Sequence, residues 1–140
     1  MNKRNLGYWV TVGIFSALYT FSSVMDLFSV GPAHLTLASL GYPAYVATIL
    51  GTWKAGAVVT LLAPGLPRLK EWAYAGIVFD LTGGLASHLF HGDALPKPII
   101  PIVFLGIALT SYFLRPTDRR IPSPTRSSAD ADRALVPAVS

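Results

Sequence analysis

The sequence predicts an all-α protein: a four-helix transmembrane bundle with its N-terminus and C-terminus in the cytoplasm. Hydrophobic residues make up 52% of the 140 residues and charged residues only 13%, and the mean hydropathy is +0.51. A soluble chain of this length cannot enclose so large an apolar fraction in one core. The apolar residues also fall into blocks close to the length of about 20 residues that a spanning helix needs.

Four blocks define one predicted transmembrane domain, residues 1–115. The first block is too long for the apolar region of a signal peptide and lacks a convincing cleavage site, so we expect a retained helix. The fourth is short, and its early prolines, Pro98 and Pro101, suit a helix start, where a missing N–H costs little. The predicted helices cover about 6–28, 42–63, 72–90 and 99–114.

The basic residues predict the orientation of these helices. Nine of the eleven Lys and Arg residues lie before the first helix, between the second and third, or after the fourth. The two other loops contain only Lys97, and Lys54 lies inside a span. Because basic residues concentrate on the cytoplasmic side, both termini are expected in the cytoplasm.

The sequence also predicts the structure of two segments outside the transmembrane helices. The first outer loop is long enough for a short interfacial helix over 32–40. The tail, 116–140, is rich in Pro, Ser, Ala and Arg and has few large apolar residues. Such a segment buries too little surface to offset its ordering entropy, so we expect a disordered cytoplasmic tail.

Four ionisable side chains lie inside the apolar runs: Asp26, Lys54, Asp80 and His88. A charge at the bilayer centre costs at least about 2.5–3.5 kcal/mol, so such residues normally pair, face the bundle interior or mark a functional site. Lys54 and Asp80 fall near the midplane of antiparallel neighbours, which predicts an ion pair between them. Asp26 and His88 fall near the outer ends and predict a second polar layer. A purely structural role, locking the helix register, remains open for the pair.

Helical spacing predicts a polar pocket that opens outward between the first three helices. On the third helix a polar stripe includes Ser87. On the first helix, polar residues recur on one face, namely Ser16, Tyr19, Ser23 and Asp26. Gly51 and Ala55 lie near Lys54 and permit close helix approach. The candidate binding residues are Lys54, Asp80, Asp26, His88 and Ser87, and the first four are also the candidates for catalysis.

Several kinds of chemistry find little or no support in the sequence. There is no cysteine, which excludes disulfides, thiolate metal sites and a cysteine nucleophile. His88 has no second intramembrane histidine with which to form a bis-histidine haem site. A surface metal site formed by His34, His91 and Asp93 is disfavoured because loop histidines rarely bind metals. The positive charge is explained by topology, so no nucleic-acid partner is expected. Nucleotide-binding and hydrolase motifs are missing.

Several motifs resemble the DoxX-like family of small bacterial membrane proteins. They are LGYP at 40–43, ILGTWK at 49–54, PRLKEWAYAG at 67–76, FDLTG at 79–83, Ser87 with His88, and SYFLRP at 111–116. The resemblance covers roughly residues 8–116. It implies a four-helix bundle in the bacterial inner membrane and a family named after a membrane subunit associated with quinone-linked sulfur oxidation.

Two functions from different classes remain open. The first is a non-catalytic membrane subunit or binding module, whose polar intramembrane pocket holds a quinone, a lipid or a partner. The second is a small membrane enzyme that acts on a lipophilic substrate, with Asp80 as acid or base and Lys54 as its charge partner. No cofactor is evident, although a quinone fits the first hypothesis. The expected partners are the lipid bilayer, a membrane or redox partner subunit, and further copies of the chain.

Overall fold

The computed structural model describes residues 2–121 and contains only helices in that part of the chain. The predicted all-α class is therefore confirmed. Five α-helices are followed by a single 3-10 turn: α1 Lys3–Leu27, α2 Gly31–Ser39, α3 Ala44–Leu62, α4 Pro67–His91, α5 Ile99–Leu114 and the turn Thr117–Arg119. The short helix expected in the loop after α1 is present as α2.

The helix ends follow local chemistry. α4 begins at Pro67, ahead of the apolar run that starts at Trp72, since proline is well suited to the first turn of a helix. The polar residues before Trp72 add to the helix without adding hydropathy, so an apolar window misses them. α4 ends at His91 and is followed by Gly92, whose φ of 79° is the left-handed conformation typical of the residue after a helix C-terminus.

The four longer helices pack in a ring. α1 contacts α3 and α5, α4 contacts the same two helices, and α2 rests against α1 and α3. The apolar core lies inside this ring and consists of Tyr8, Val12, Phe15, Tyr19, Val58, Leu61, Tyr74, Ile77, Leu81 and Ala108.

Large apolar side chains also cover the outside of the ring. Phe90 is 93% exposed, and Trp72 and Phe79 are each 77% exposed. Several polar and charged side chains are buried inside instead, including Asp26, Lys70 and Arg119. α1 and α3 are long and apolar enough to cross a membrane, and α5 is a shorter apolar helix. Polar groups inside and apolar groups outside are what an apolar solvent favours.

The two ends of the ring differ in charge. The basic end contains the start of α1, the α3–α4 connection and the chain after α5, with basic side chains at Lys3, Arg4, Arg68, Lys70, Arg115, Arg119 and Arg120. These segments meet there, because Arg4 donates a hydrogen bond to the carbonyl of Arg115. The opposite end contains α2 and the connection between α4 and α5.

The chain after α5 is folded in part, which corrects the expectation of a disordered tail from residue 116. Arg119, in the 3-10 turn, is only 7% exposed. Its guanidinium donates to the carbonyl oxygen of Leu61 at 2.9 Å and lies 4.5 Å from the ring of Trp9. These contacts fix the start of the tail against α1 and α3. The rest of the predicted tail, 122–140, lies outside the described residues.

Candidate functional site

Lys54 forms its ion pair with Asp26, and the predicted pairing with Asp80 is wrong. The Lys54 ammonium lies 2.8 Å from Asp26 Oδ2 and 3.1 Å from Ser22 Oγ. Asp26 is completely buried, and the Lys54 side chain is 12% exposed. The pair thus joins α3 to α1 inside the ring.

Side-chain direction explains this partner. Side chains on an α-helix lean toward its N-terminus. The N-terminus of α3 is at the opposite end, so Lys54 extends away from the basic end, whereas Asp26 on α1 leans toward it, and the two meet. Asp80 on α4 leans toward the basic end and away from the Lys54 ammonium.

Asp80 binds a tyrosine instead. The Tyr19 hydroxyl donates to Asp80 Oδ2 at 2.7 Å, which joins α1 to α4 across the ring. The four ion pairs found among residues 2–121 are Lys54–Asp26, His88–Asp93, Lys97–Asp93 and Arg115–Glu71. Asp80 belongs to none of them, so its carboxylate has no cationic partner within this part of the chain.

The polar face predicted on α1 is buried, as expected for the inner face of a bundle. Ser16, Tyr19, Ser23 and Asp26 are all buried. Ser23 donates to the carbonyl oxygen of Gly51 at 2.6 Å, and a Cβ added at Gly51 would lie 2.8 Å from Leu27 Cγ and 3.0 Å from Ser23 O. The close approach expected at Gly51 therefore brings α3 directly onto the backbone of α1, next to the ion pair.

His88 has a carboxylate partner at the opposite end of the ring. Its Nδ1 lies 2.7 Å from Asp93 Oδ2, and Lys97 donates to the other oxygen of Asp93 at 2.9 Å. These two hydrogen bonds, first that with His88 and then that with Lys97, hold the pKa of Asp93 below its ordinary value. Ser87 lies apart from this group and shares a 2.7 Å hydrogen bond with the hydroxyl of Tyr42.

Two cavities border these side chains. The first, here called the α2 cavity, has a volume of about 380 Å³ and lies beneath α2, with walls from every helix of the ring. Most of its lining is apolar, and its polar residues are Tyr19, Ser22, Asp26, Thr36, Lys54, His88 and Lys97. Asp26 and His88, predicted to form one layer, thus line a common cavity, and Lys54 joins them.

The second cavity, here called the lateral groove, has a volume of about 490 Å³ and lies between α3 and α4. Its lining includes Trp53, Gly56, Ala57 and Thr60 from α3 and Trp72, Ala73, Gly76 and Asp80 from α4. Tyr19 borders both cavities. The candidate residues therefore divide into two places: Asp26, Lys54 and His88 at the α2 cavity, and Asp80 at the lateral groove.

Three buried cations at the basic end were interpreted from the sequence only as topology signals. Lys70 is fully buried, and its ammonium donates to the carbonyl oxygens of Thr60 and Ala63 at the end of α3. Arg115 forms a 2.6 Å ion pair with Glu71, and Arg119 also binds an α3 carbonyl. Carbonyls at a helix C-terminus lack intrahelical partners, so cations there stabilise the end of α3. In the sequence, the signal that could have revealed the burial of these cations is the set of aromatic residues that lie near them.

Helices that present apolar side chains outward and keep an ion pair inside define an α-helical membrane protein with internal polar sites. The family model described as the DoxX-like family matches residues 10–111, and the chain belongs to that family. The resemblance found in the motifs is thus confirmed. No curated protein and no solved structure matches the chain.

Proposed function

We propose that the chain is a multi-pass inner-membrane protein whose α2 cavity binds the polar head of a lipophilic molecule. In this proposal α1, α3, α4 and α5 all span the bilayer, and the basic end faces the cytoplasm. The meeting of all three basic segments at one end of the ring supports this orientation. α2 then lies at the outer interface, above the cavity.

One observation carries the binding function: the ion pair in the cavity wall is incompletely satisfied. An ammonium group has three N–H donors, and the described residues supply two acceptors for Lys54, on Ser22 and Asp26. Asp26 Oδ1 is buried and has no hydrogen-bond partner among residues 2–121. Buried polar groups are usually satisfied, and exceptions call for an explanation such as an unseen partner.

The chemistry of the cavity indicates the kind of ligand. A carbonyl or ester oxygen accepts the remaining hydrogen bond of Lys54, and a hydroxyl on the ligand donates to Asp26 after a small adjustment of the pair. The apolar walls from α1, α2 and α5 suit a lipophilic body. A quinone or a lipid combines these features, so the chain acts as a non-catalytic binding module or membrane subunit.

Native mass spectrometry in mild detergent, with an optical spectrum of the same sample, tests this function. The expected result is a stoichiometric quinone or lipid bound to the wild type and to Thr52→Val, an exposed position on α3. The double variant Lys54→Met/Asp26→Leu should lose that ligand while remaining folded by circular dichroism. A bare wild-type chain, or equal occupancy in the double variant, would refute the proposal. The same spectra count any partner subunit or second copy.

A small membrane enzyme is the second candidate, supported by the hydrogen bond between Tyr19 and Asp80. Tyr19 borders both cavities, so a proton taken from a molecule in the α2 cavity has a route through its hydroxyl to the Asp80 carboxylate. Lys54 pairs with Asp26 and no longer serves as the partner of Asp80 in this scheme. With an isomerisation or hydrolysis substrate identified, an Asp80→Asn variant that keeps full turnover would refute it.

A further inference from the structure

We propose that the lateral groove between α3 and α4 is a second binding site, which takes a lipophilic organic cation. This site is separate from the α2 cavity and does not rest on the function proposed for it. The ligand class comprises hydrophobic ammonium or phosphonium ions whose charge is spread or shielded by apolar groups. The two independent observations behind the proposal are the uncompensated carboxylate of Asp80 and the aromatic rim of the groove.

The carboxylate supplies the charge. Asp80 lies in the groove and is partly exposed to it, and its one side-chain hydrogen bond among residues 2–121 comes from the neutral hydroxyl of Tyr19. Lys54, the basic residue predicted from the sequence to pair with Asp80, is held by Asp26 at 2.8 Å. An ionisable group at this depth normally pairs or marks a functional site. A cation that enters the groove would supply the missing charge.

Aromatic side chains at the rim of the groove can recognise an organic cation. Trp53 on α3 is 74% exposed and Trp72 on α4 is 77% exposed, and both border the groove. An indole face attracts cations through its quadrupole, and aromatic residues are the usual receptors for quaternary ammonium groups. A strongly hydrated inorganic cation would lose its water shell here without enough oxygen ligands in return.

The floor of the groove leaves room for such a ligand. It is lined by Gly56 and Ala57 on α3 and by Ala73 and Gly76 on α4, and a Cβ added at Gly56 or at Gly76 would meet no atom of residues 2–121 within 4 Å. Small side chains keep the space between the two helices open, and the Trp side chains stand at the surface. The resulting volume of about 490 Å³ lies within the range of small-molecule sites.

The test measures binding of radiolabelled tetraphenylphosphonium to the purified full chain by equilibrium dialysis. Tetraphenylborate, an anion of nearly the same shape, is the matched control for simple partition into the detergent. We expect saturable binding of the cation at one site and no saturable binding of the anion. Saturable binding of both ions, or of neither, would overturn the proposal.

Variants locate the site. Asp80→Asn keeps the shape of the side chain and an acceptor for Tyr19, and should weaken cation binding by at least about tenfold, which corresponds to about 1.4 kcal/mol. Asp118→Asn, which removes an exposed carboxylate in the 3-10 turn at the basic end, should leave the affinity for the cation within about twofold. Equal losses in the two variants, or unchanged binding in Asp80→Asn, would overturn the assignment.

Trp53→Leu gives a second reading that does not depend on Asp80. It removes an aromatic face at the surface without disturbing any hydrogen bond described for the groove, so the chain should fold normally. The cation affinity should fall while the melting temperature stays unchanged. An unchanged affinity would overturn the cation–π part of the proposal. A second copy of the chain that blocks the groove would overturn the assignment of the groove as a binding site.

Discussion

Removing Lys54 alone should destabilise the protein far more than removing Lys54 and Asp26 together. Lys54→Met leaves the Asp26 carboxylate completely buried, with one oxygen that already lacks a partner among residues 2–121. Breaking a buried pair from one side typically costs about 3–5 kcal/mol of unfolding free energy, because an uncompensated charge stays inside. Asp26→Leu should cost less, since the Lys54 side chain is 12% exposed and keeps its hydrogen bond to Ser22.

The double variant Lys54→Met/Asp26→Leu replaces the pair by apolar groups of similar size. Such replacements are often neutral or stabilising, so its unfolding free energy should lie within about 1 kcal/mol of the wild type. Unfolding by sodium dodecyl sulfate in mixed micelles, followed by tryptophan fluorescence, gives the free energies. The unfolding free energies of the wild type, the two single variants and the double variant form a double-mutant cycle, in which coupling between Lys54 and Asp26 appears as non-additivity.

A second cycle, between Lys54 and Asp80, serves as the control. It should show a coupling well below that of Lys54 with Asp26, because Lys54 and Asp80 share no hydrogen bond and are linked only through Tyr19. Additive effects of Lys54→Met and Asp26→Leu would refute the pair seen in the structure. Strong coupling of Lys54 to Asp80 would instead restore the pairing expected from depth alone.

Three further predictions concern packing, topology and pH. Gly51→Ala should lower the unfolding free energy because its new Cβ would lie 2.8 Å from an atom of α1, whereas Gly56→Ala, whose new Cβ meets no atom of residues 2–121 within 4 Å, should raise it through helix propensity; equal shifts of the melting temperature would contradict this. Because the chain has no cysteine, single Ser39→Cys and Asp118→Cys variants report topology: in intact cells a membrane-impermeant maleimide should label the first and not the second, and the reverse would refute the orientation. The lowered pKa of Asp93 gives a stabilisation that is present above its unfolded pKa of about 3.9 and is lost as the pH falls through the lower folded value; Asp93→Asn should remove this part of the pH dependence of the melting temperature.

The helices could be predicted from the sequence because apolar blocks and helix-starting prolines are local signals. The block at 99–114 coincides with α5, and the short helix after α1 was expected from loop length. The start of α4 was missed because polar residues such as Lys70 and Glu71 extend that helix beyond the apolar run. Hydropathy marks the part of a helix that suits lipid, and the hydrogen-bonded helix can be longer.

The candidate site was only half predictable, for a geometric reason. Spacing along α1 correctly placed Tyr19 and Asp26 on one buried face. Depth along the chain, however, locates Cα atoms, whereas an ion pair forms between the ends of side chains. The four-carbon stem of Lys54 shifts its charge toward the N-terminus of α3, so the partner changed from Asp80 to Asp26.

The buried cations at the basic end could not be found from charge counting alone. Lys70 and Arg119 contribute to the positive-inside signal, yet both are buried and bind carbonyls at the end of α3. A count of basic residues assumes that each one meets lipid headgroups or water. The packing of α4 against α3 shows that Lys70 acts within the protein, and the packing of the chain after α5 shows the same for Arg119.

Tyr19 is the side chain through which the two cavities are in contact. Its hydroxyl donates to Asp80 at the lateral groove, and the Lys54 ammonium lies 5.7 Å from the centre of its ring. A cation bound at Asp80 would compete with the Tyr19 hydroxyl for the carboxylate, and movement of the ring would change the surroundings of Lys54. A coupling free energy acts equally in both directions. The factor by which a cation in the groove changes the affinity of the α2 cavity for its ligand must therefore equal the factor by which that ligand changes the affinity of the groove for the cation. Tyr19→Phe keeps the ring but removes the hydrogen bond, so comparing cation affinity with and without a ligand in the α2 cavity, in this variant and the wild type, separates the two contributions.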